Sequence, residues 1–540
     1  MLLGLGGLDR GGRVGDRVSV ADWAIVATYL ASLVLFGLFS ARRSRSPADY
    51  FLASRAARWP TIGLSMIASN LSSSALVGLA GGAYAYGISV YNYEWVAIAI
   101  LAFFCVFLLP QVLASRVFTM PGFLERRYDG RARTWLSAIT LCLNVFVDGA
   151  GALYSGALVC RLLRPDLPIW GFTMALAGAA GLYTVIGGLR AVLRTEVVQG
   201  TILVAGAACV AWFAFSAAGG WHTVMTSVDP GHLSLIRPLS DPSVPWAGLL
   251  LGVPILGFYY WCTNQVIVQR MLSARDLDEG RAGALFAGLL KLPVLVIMVL
   301  PGTCALLLYP HLGRSDLVYP TLVLDVLPTG IRGLVVGAFL AATVTSVASM
   351  LNSAATLVTM DLVHRLRPSM PDARVVSIGR IATGVCLGIA MAWAPELEKL
   401  PSLWQYLQSV LAYAVPPIVV LFVAGLFWRG ATADGASATF IYGTLCGAVL
   451  FVLNGLLHVL HIHFLYVAPL LCAVDLAILV IASHPSLARA PTSASLELGW
   501  SHAAFRAESE RLKSVPTWRN YRLQALVLLG ATAIVVVAFR

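Results

Sequence analysis

Residues 67–82 read IASNLSSSALVGLAGG, which sets Ser69, Asn70, Ser72, Ser73 and Ser74 inside an apolar run long enough to cross a bilayer. Each unsatisfied polar group in a water-free hydrocarbon core costs several kcal/mol, so such a cluster persists only where something answers it. One answer is a small hard cation, which takes neutral oxygens from hydroxyls and from the carbonyls that a broken helix leaves free. Another is close helix packing, for which Ser and Gly are equally suited. A related group, AATVTSVAS, puts Ala342, Thr345 and Ser346 within one helical turn, Ala342 and Ser346 on one face and Thr345 beside it. Taken alone, these two hydroxyls read first as back-bonding to their own helix.

Other residues stand out by cost. Lys291 lies well inside an apolar run, where insertion of a lysine costs about 2.5–3.5 kcal/mol, and such a residue is a functional candidate unless it snorkels to the inner face. Glu94, near the outer third of its run, reads as functional or interfacial. Asp148, in LNVFVDGAGALYSG, invites pairing with a cation or a place in a proton path; Asp475 reads as structural. Glu196 reads as a boundary residue or as part of an ion exit. HVLHIH (His458, His461, His463) has no Cys or acidic neighbour and reads as an interfacial loop rather than a zinc site. The nine cysteines form no CxxC pair and read as small apolar packing residues.

The elements that must position these groups are membrane helices. The 540 residues are 59% apolar and 12% charged, with mean hydropathy +0.81, which is no soluble composition. About fourteen apolar runs recur between residues 21 and 539, too long and too little alternating for a β-barrel. The first, ADWAIVATYLASLVLFGLFS, reads as a retained helix and not as a signal peptide. With both termini outside, about 26 of the Lys and Arg fall on the inner side and about 10 on the outer. The net charge of +11 is therefore topological and does not point to nucleic acid. No link is long enough for a catalytic domain, and no nucleophile, base and orienting acid converge, so the chain does not read as an enzyme.

Two runs are chemically unlike the rest. The second carries the serine cluster; the seventh, PILGFYYWCTNQVIVQR, has Gly252, Pro254 and Gly257 just before Tyr259, Tyr260, Trp261, Thr263, Asn264 and Gln265. They are five runs apart and so cross in opposite directions. Two interrupted helices at matching places in antiparallel halves point to a transporter of the inverted-repeat type with its site at the membrane midplane.

From residue 49 to residue 425 the chain also resembles a known family. ADYFLASR, ASNLSSSALVGLAG, YEWVA, FTMPGFLERR, GLYTVIGGLRAVLRTEVVQ, YWCTNQVIVQR, LKLPVLVIMVLPG, ATVTSVASMLNSAATLVTMD and QYLQSVLAYAVPP are similar to the sodium:solute symporters, nearest the sodium/glucose and sodium/inositol branch. The resemblance implies an all-α polytopic membrane protein of the LeuT-type fold. Its parts would be an extra helix and linker (1–59), a first repeat (60–218), an outer loop (219–245), a second, inverted five-helix repeat (246–427) and C-terminal extra helices (428–540). It further implies a Na⁺ site built from backbone carbonyls of Ala68, Leu71 and Ala342 with the hydroxyls of Thr345 and Ser346. Asn70, Glu94, Tyr260, Trp261, Lys291 and Gln408 match positions that bind or gate the sugar, and Glu196 matches an acidic position near the ion's exit. Three positions depart: Ala75 stands for a polar Gln or His, Gly257 for Asn or Thr, and Asp148 for Lys or a neutral residue. The expectation is Na⁺-coupled uptake of a neutral sugar or polyol across a cell membrane, the Arg-rich usage hinting at a bacterial inner membrane, with no obligatory protein partner. An acidic sugar or other organic acid in the volume freed by Ala75 and Gly257 is the alternative substrate, and a non-transporting solute sensor the alternative class.

Overall fold

The computed structural model describes residues 18–40, 55–241, 244–363, 365, 367, 369–400, 402–484 and 491–540. Arg42, Arg43, Arg45, Arg489 and most of ADYFLASR lie outside the described residues, as do the side chains at 183 and 185–195. Among the described residues the secondary structure is helical, with two isolated backbone bridges and no strand. Helices satisfy every backbone group within one segment, which hydrocarbon demands. Among the described residues, nine helical stretches are long and apolar enough to cross a membrane; two bent helix pairs each pass as one span, and three shorter apolar helices accompany them.

In chain order the principal helices are α1 (Val20–Ser40), α2 (Trp59–Asn70), α3 (Ser73–Tyr86), α4 (Asn92–Phe103), α5 (Gly130–Leu143), α6 (Ala150–Leu163), α7 (Ile169–Ala217), α8 (Val253–Phe258), α9 (Gln265–Leu272), α10 (Leu277–Leu289), α11 (Leu300–Leu308), α12 (Ile331–Thr356), α13 (Leu403–Ala414), α14 (Pro416–Phe427), α15 (Phe464–Ala482), α16 (His502–Lys513) and α17 (Tyr521–Ala538). Helix α12 is the most enclosed of the long spans, with 83% of its apolar window buried against 22% for α17, so α12 is central and α17 peripheral. Asp22 of α1 caps α12, its Oδ1 accepting from the N–H groups of Gly330 (2.7 Å) and Gly333 (3.0 Å). A carboxylate there also complements the positive end of the helix dipole.

The serine cluster does break its span. Leu71 (φ −76°, ψ 51°) and Ser72 (φ −70°, ψ 168°) leave helical geometry, and α2 and α3 meet at 58°. Leu71 N–H closes the last turn on Ile67 O at 2.7 Å, after which the carbonyls of residues 68–71 lose the donors a continuous helix would bring. Ser72 starts the next helix, its hydroxyl accepting from Ala75 N–H at 3.3 Å.

The seventh span is broken later than Gly252, Pro254 and Gly257 suggest. Helix α8 runs into a π turn, Tyr259–Thr263, and the chain becomes extended only at Asn264 (φ −61°, ψ 123°). Pro254 occupies the first turn of α8, where its missing N–H costs nothing. Gly252 serves packing instead: a Cβ there would lie 2.2 Å from the Leu465 carbonyl of α15. The polar cap does the breaking, as at Ser72, with Asn264 Oδ1 accepting from Val266 N–H at 2.8 Å. A further break, between α13 and α14 (53°), falls at Pro416–Pro417.

Two of the apolar runs read from the sequence, residues 168–188 and 195–218, fall within one continuous helix, α7, of 49 residues. At 1.5 Å per residue that is about 73 Å, more than twice a hydrocarbon core. The intervening VIGGLRAVLRT holds no proline, and Gly187 and Gly188 each cost only about 1 kcal/mol in a helix, so nothing local compels a stop.

Candidate functional site

A cavity of about 140 Å³ opens where the breaks meet. Ser69, Asn70, Ser72, Ser74 and Ala75 line it from the α2–α3 break, Gly257 and Tyr259–Trp261 with Asn264 from the α8–α9 break, Glu94 from α4, Ser346 and Ser349 from α12, and Gln408 from α13. Of the expected solute-contacting residues, Asn70, Glu94, Tyr260, Trp261 and Gln408 are therefore brought to one wall. Ala75 and Gly257 also face this space, and a Cβ on Gly257 would meet nothing nearer than Ile100 at 3.5 Å, so both departures add room. Trp404, which packs on Gly78 and edge-on against Tyr93 (5.3 Å), stands with Tyr93 between this cavity and a smaller one lined by Val244 and Phe464.

Lys291 is placed differently from the rest. It lies in the turn between α10 and the π turn Leu295–Val299, has no exposed surface, and stands behind the cavity wall. Its Nζ donates to Asn70 Oδ1 and to Glu94 Oε2 and sits 4.8 Å from the centre of the Trp261 ring. The lysine thus does not snorkel, and Glu94, 6% exposed, is not interfacial. Asn70 and Glu94 reach the cavity with their remaining lone pairs already oriented by one cation.

The expected Na⁺ ligands divide in the same way. Ala68, Asn70 and Leu71 bracket the freed carbonyls of α2, and a Cβ on Gly200 of α7 would lie 2.5 Å from Ala68 Cβ, so α7 presses on the break. Thr345, 4% exposed, donates to the carbonyls of Ala341 (3.0 Å) and Ala342 (3.2 Å), which is the back-bonding read from the sequence alone. That bond consumes the hydroxyl proton and leaves both oxygen lone pairs. Ser346 faces the cavity and has no hydrogen-bond partner among the described residues.

Glu196 joins the two elements. Its Oε1 accepts from Ser69 of α2 (3.0 Å) and from Ser349 of α12 (2.8 Å), its Oε2 accepts from Ser65 (2.5 Å), and Arg270 of α9 lies at 2.5 Å. It is 3% exposed, so it is a buried hub and not a headgroup-facing residue. Removing either partner of such a pair leaves an uncompensated buried charge. Sequence reasoning had no signal for Arg270 as its partner beyond its place at the end of YWCTNQVIVQR. Nor did it single out Asp22, whose role needs the tertiary approach of α1 to α12. Asp475 is wholly buried against Gly443, its carboxylate without a hydrogen-bond partner among the described residues.

Broken helices enclosing a polar cavity, with freed carbonyls at its edge and a buried ion pair bonded to the same break, define a membrane transporter of the broken-helix kind. The family model of the sodium:solute symporter family matches residues 50–443. A sodium/mannose cotransporter of Bos taurus is 35% identical over 482 residues, covering 82% of this chain and 80% of its own length, and sodium/glucose cotransporter 2 of Rattus norvegicus is 34% identical, covering 82% and 73%. Among solved structures, a substrate-bound, outward-open Na⁺-coupled sialic acid symporter superposes with a TM-score of 0.75 at 21% identity, covering 88% of this chain and 99% of that one. The nucleobase-cation-symport-1 transporter Mhp1 superposes at 0.56 and 16% identity, covering 84% and 98%. These two likenesses give the LeuT-type fold. The chain belongs to the sodium:solute symporter family, and Na⁺ is its co-transported ion. It is an integral membrane transporter.

Proposed function

We propose that this symporter carries a neutral sugar or polyol into the cell with Na⁺. The reading draws on relatives named for mannose, glucose and myo-inositol, and the observation that carries it is that Asn70 and Glu94, both held by the Lys291 ammonium behind them, line one cavity with Tyr260, Trp261 and Gln408. A paired Lys and Glu present almost no net charge and several hydrogen-bonding positions, and the rings present flat faces to a pyranose. In this reading Ala68, Leu71 and Ala342 carbonyls with Thr345 and Ser346 hydroxyls hold Na⁺, and the repeats 60–218 and 246–427 rock about that site. One charge falling through 100 mV is worth about 2.3 kcal/mol, enough for roughly fifty-fold accumulation before the Na⁺ gradient is counted. The excess of basic residues on one side supports a cytoplasmic face there, with both termini outside, in a bacterial inner membrane.

The test is uptake of labelled hexoses and myo-inositol into proteoliposomes with and without an inward Na⁺ gradient, followed by competition with sialic acid and small carboxylates. Na⁺-stimulated uptake that hexoses or inositol compete away is the expected result. Competition by the acids alone overturns the sugar reading, and binding without flux makes the protein a sensor.

A further inference from the structure

Asp148 is a carboxylate that no cation among the described residues answers. It lies on the π turn Asn144–Gly149 between α5 and α6, on the cavity wall, and its hydrogen bond among the described residues is a long one, 3.5 Å from Asn264 Nδ2. The neighbouring acids are both neutralised, Glu94 by Lys291 and Glu196 by Arg270. Lys291 itself stays behind the wall, and none of the residues lining the cavity is Lys or Arg. The space is also bounded by Tyr93, Tyr259, Tyr260, Trp261 and Trp404, whose ring faces attract cations. Its chemistry is therefore net negative and aromatic.

While the cavity holds water, water can solvate this carboxylate; a solute that displaces the water must supply the donor instead. A sugar hydroxyl can do so. A protonated amine does so better, because it brings a full opposite charge to the carboxylate as well as a donor, where a hydroxyl brings only a dipole. A carboxylate on the solute would meet a like charge with no cation exposed nearby to offset it.

We propose that Asp148 contacts the solute and sets its charge preference, so that amino sugars or aminocyclitols bind better than their hydroxy parents and sugar acids bind worst. This rests on the sugar or polyol reading above and narrows it. It assigns to Asp148 a different part from Glu94: Glu94 is oriented and charge-balanced by Lys291, whereas the charge of Asp148 is left for the ligand.

The experiment is competition of labelled-hexose uptake into proteoliposomes under an inward Na⁺ gradient by matched trios: glucose, its 2-, 3- and 6-amino derivatives, and glucuronate. In the wild type at least one amino sugar should compete about tenfold better than glucose, and glucuronate at least tenfold worse. In Asp148→Asn the amino advantage should collapse and the acid should approach glucose. Ratios are compared within each variant, so a change in overall rate does not enter; where Asp148→Asn does not transport, ligand-induced shifts of melting temperature in detergent give the same ratios. An ordering that is the same in Asp148→Asn as in the wild type overturns the inference and leaves the sugar reading standing, as does an altered Na⁺ cooperativity with an unchanged ordering, which would make Asp148 a cation ligand. If no sugar of any charge competes or binds, the sugar reading fails instead.

Discussion

Replacing both Thr345 and Ser346 with Ala tests the proposed ion site, and the two positions differ in what they lose. The Ser346 hydroxyl faces the cavity without a partner among the described residues, so its removal deletes a proposed ion ligand and no bond to them. The Thr345 hydroxyl also closes on Ala341 and Ala342, but those carbonyls keep their helical acceptor role without it. Taking the low end for a bond to a charged group, about 1.5 kcal/mol per lost oxygen, each removal weakens Na⁺ binding about tenfold and both together up to about a hundredfold. The assay is uptake at graded Na⁺ concentrations with K⁺ making up the ionic strength, alongside melting temperature in detergent. The half-saturating Na⁺ concentration should rise at least tenfold in Thr345→Ala/Ser346→Ala, with Ser346→Ala melting as the wild type does. An unchanged Na⁺ dependence in the double variant would refute the site.

Gln408→Ala should raise the solute concentration for half-maximal uptake by about tenfold, because a solute hydroxyl is left unpaired, while the Na⁺ dependence measured at saturating solute stays put. Lys291→Met leaves Glu94 buried without its cation and should cost about 3–5 kcal/mol of stability, read as a fall in melting temperature that the double variant Lys291→Met/Glu94→Gln partly restores. Away from the cavity, Glu508 of α16 bonds Arg281 (2.6 Å), Tyr521 (2.9 Å) and Arg522 (2.8 Å); burial pushes its carboxyl up, but these partners outweigh burial and hold it below the ordinary glutamate value. A depressed carboxyl stabilises the fold above its unfolded value of 4.5 and loses that contribution as pH falls below it, so Glu508→Gln should melt lower than the wild type at pH 7 and the two curves should converge below about pH 4.5.

The helical class, the two breaks and most of the cavity wall were legible because hydrocarbon makes polar residues expensive: the residues that stood out at Ser69–Ser74, Asn264, Lys291 and Glu94 are those that line or support the cavity. Cost says that a partner exists and not which one. Lys291 was read as a group meeting the solute, yet it lies behind the wall, because its place depends on how the turn after α10 abuts α2 and α4. The cause of the second break was misplaced for a similar reason. Glycine and proline weaken a helix wherever they stand, but Pro254 landed in a first turn and Gly252 against a carbonyl of α15, leaving the capping side chain of Asn264 to end the helix. The partition of α7 was illegible in the opposite sense, since a basic stretch between two apolar runs does not by itself stop a helix.

Coupled transport requires that ion and solute each bind more tightly when the other is present, by the same factor. A single element can provide this only if both ligands order it, and the break at residues 68–72 is such an element. Its carbonyls are the proposed ion ligands, Ser69 is tied through Glu196 to Ser349 on α12, and Asn70, the last residue of α2, accepts from Lys291 and faces the cavity. An ion that fixes the carbonyls of Ala68 and Leu71 therefore also fixes the Asn70 amide between them, and with it one of the two acceptors that hold the Lys291 ammonium, Glu94 being the other. The conformational freedom lost at the break is lost once, on binding the first ligand, and need not be lost again for the second. The serines and the asparagine are clustered in one interrupted turn, where an ion site and a solute site placed on separate helices would each bind but would not be coupled.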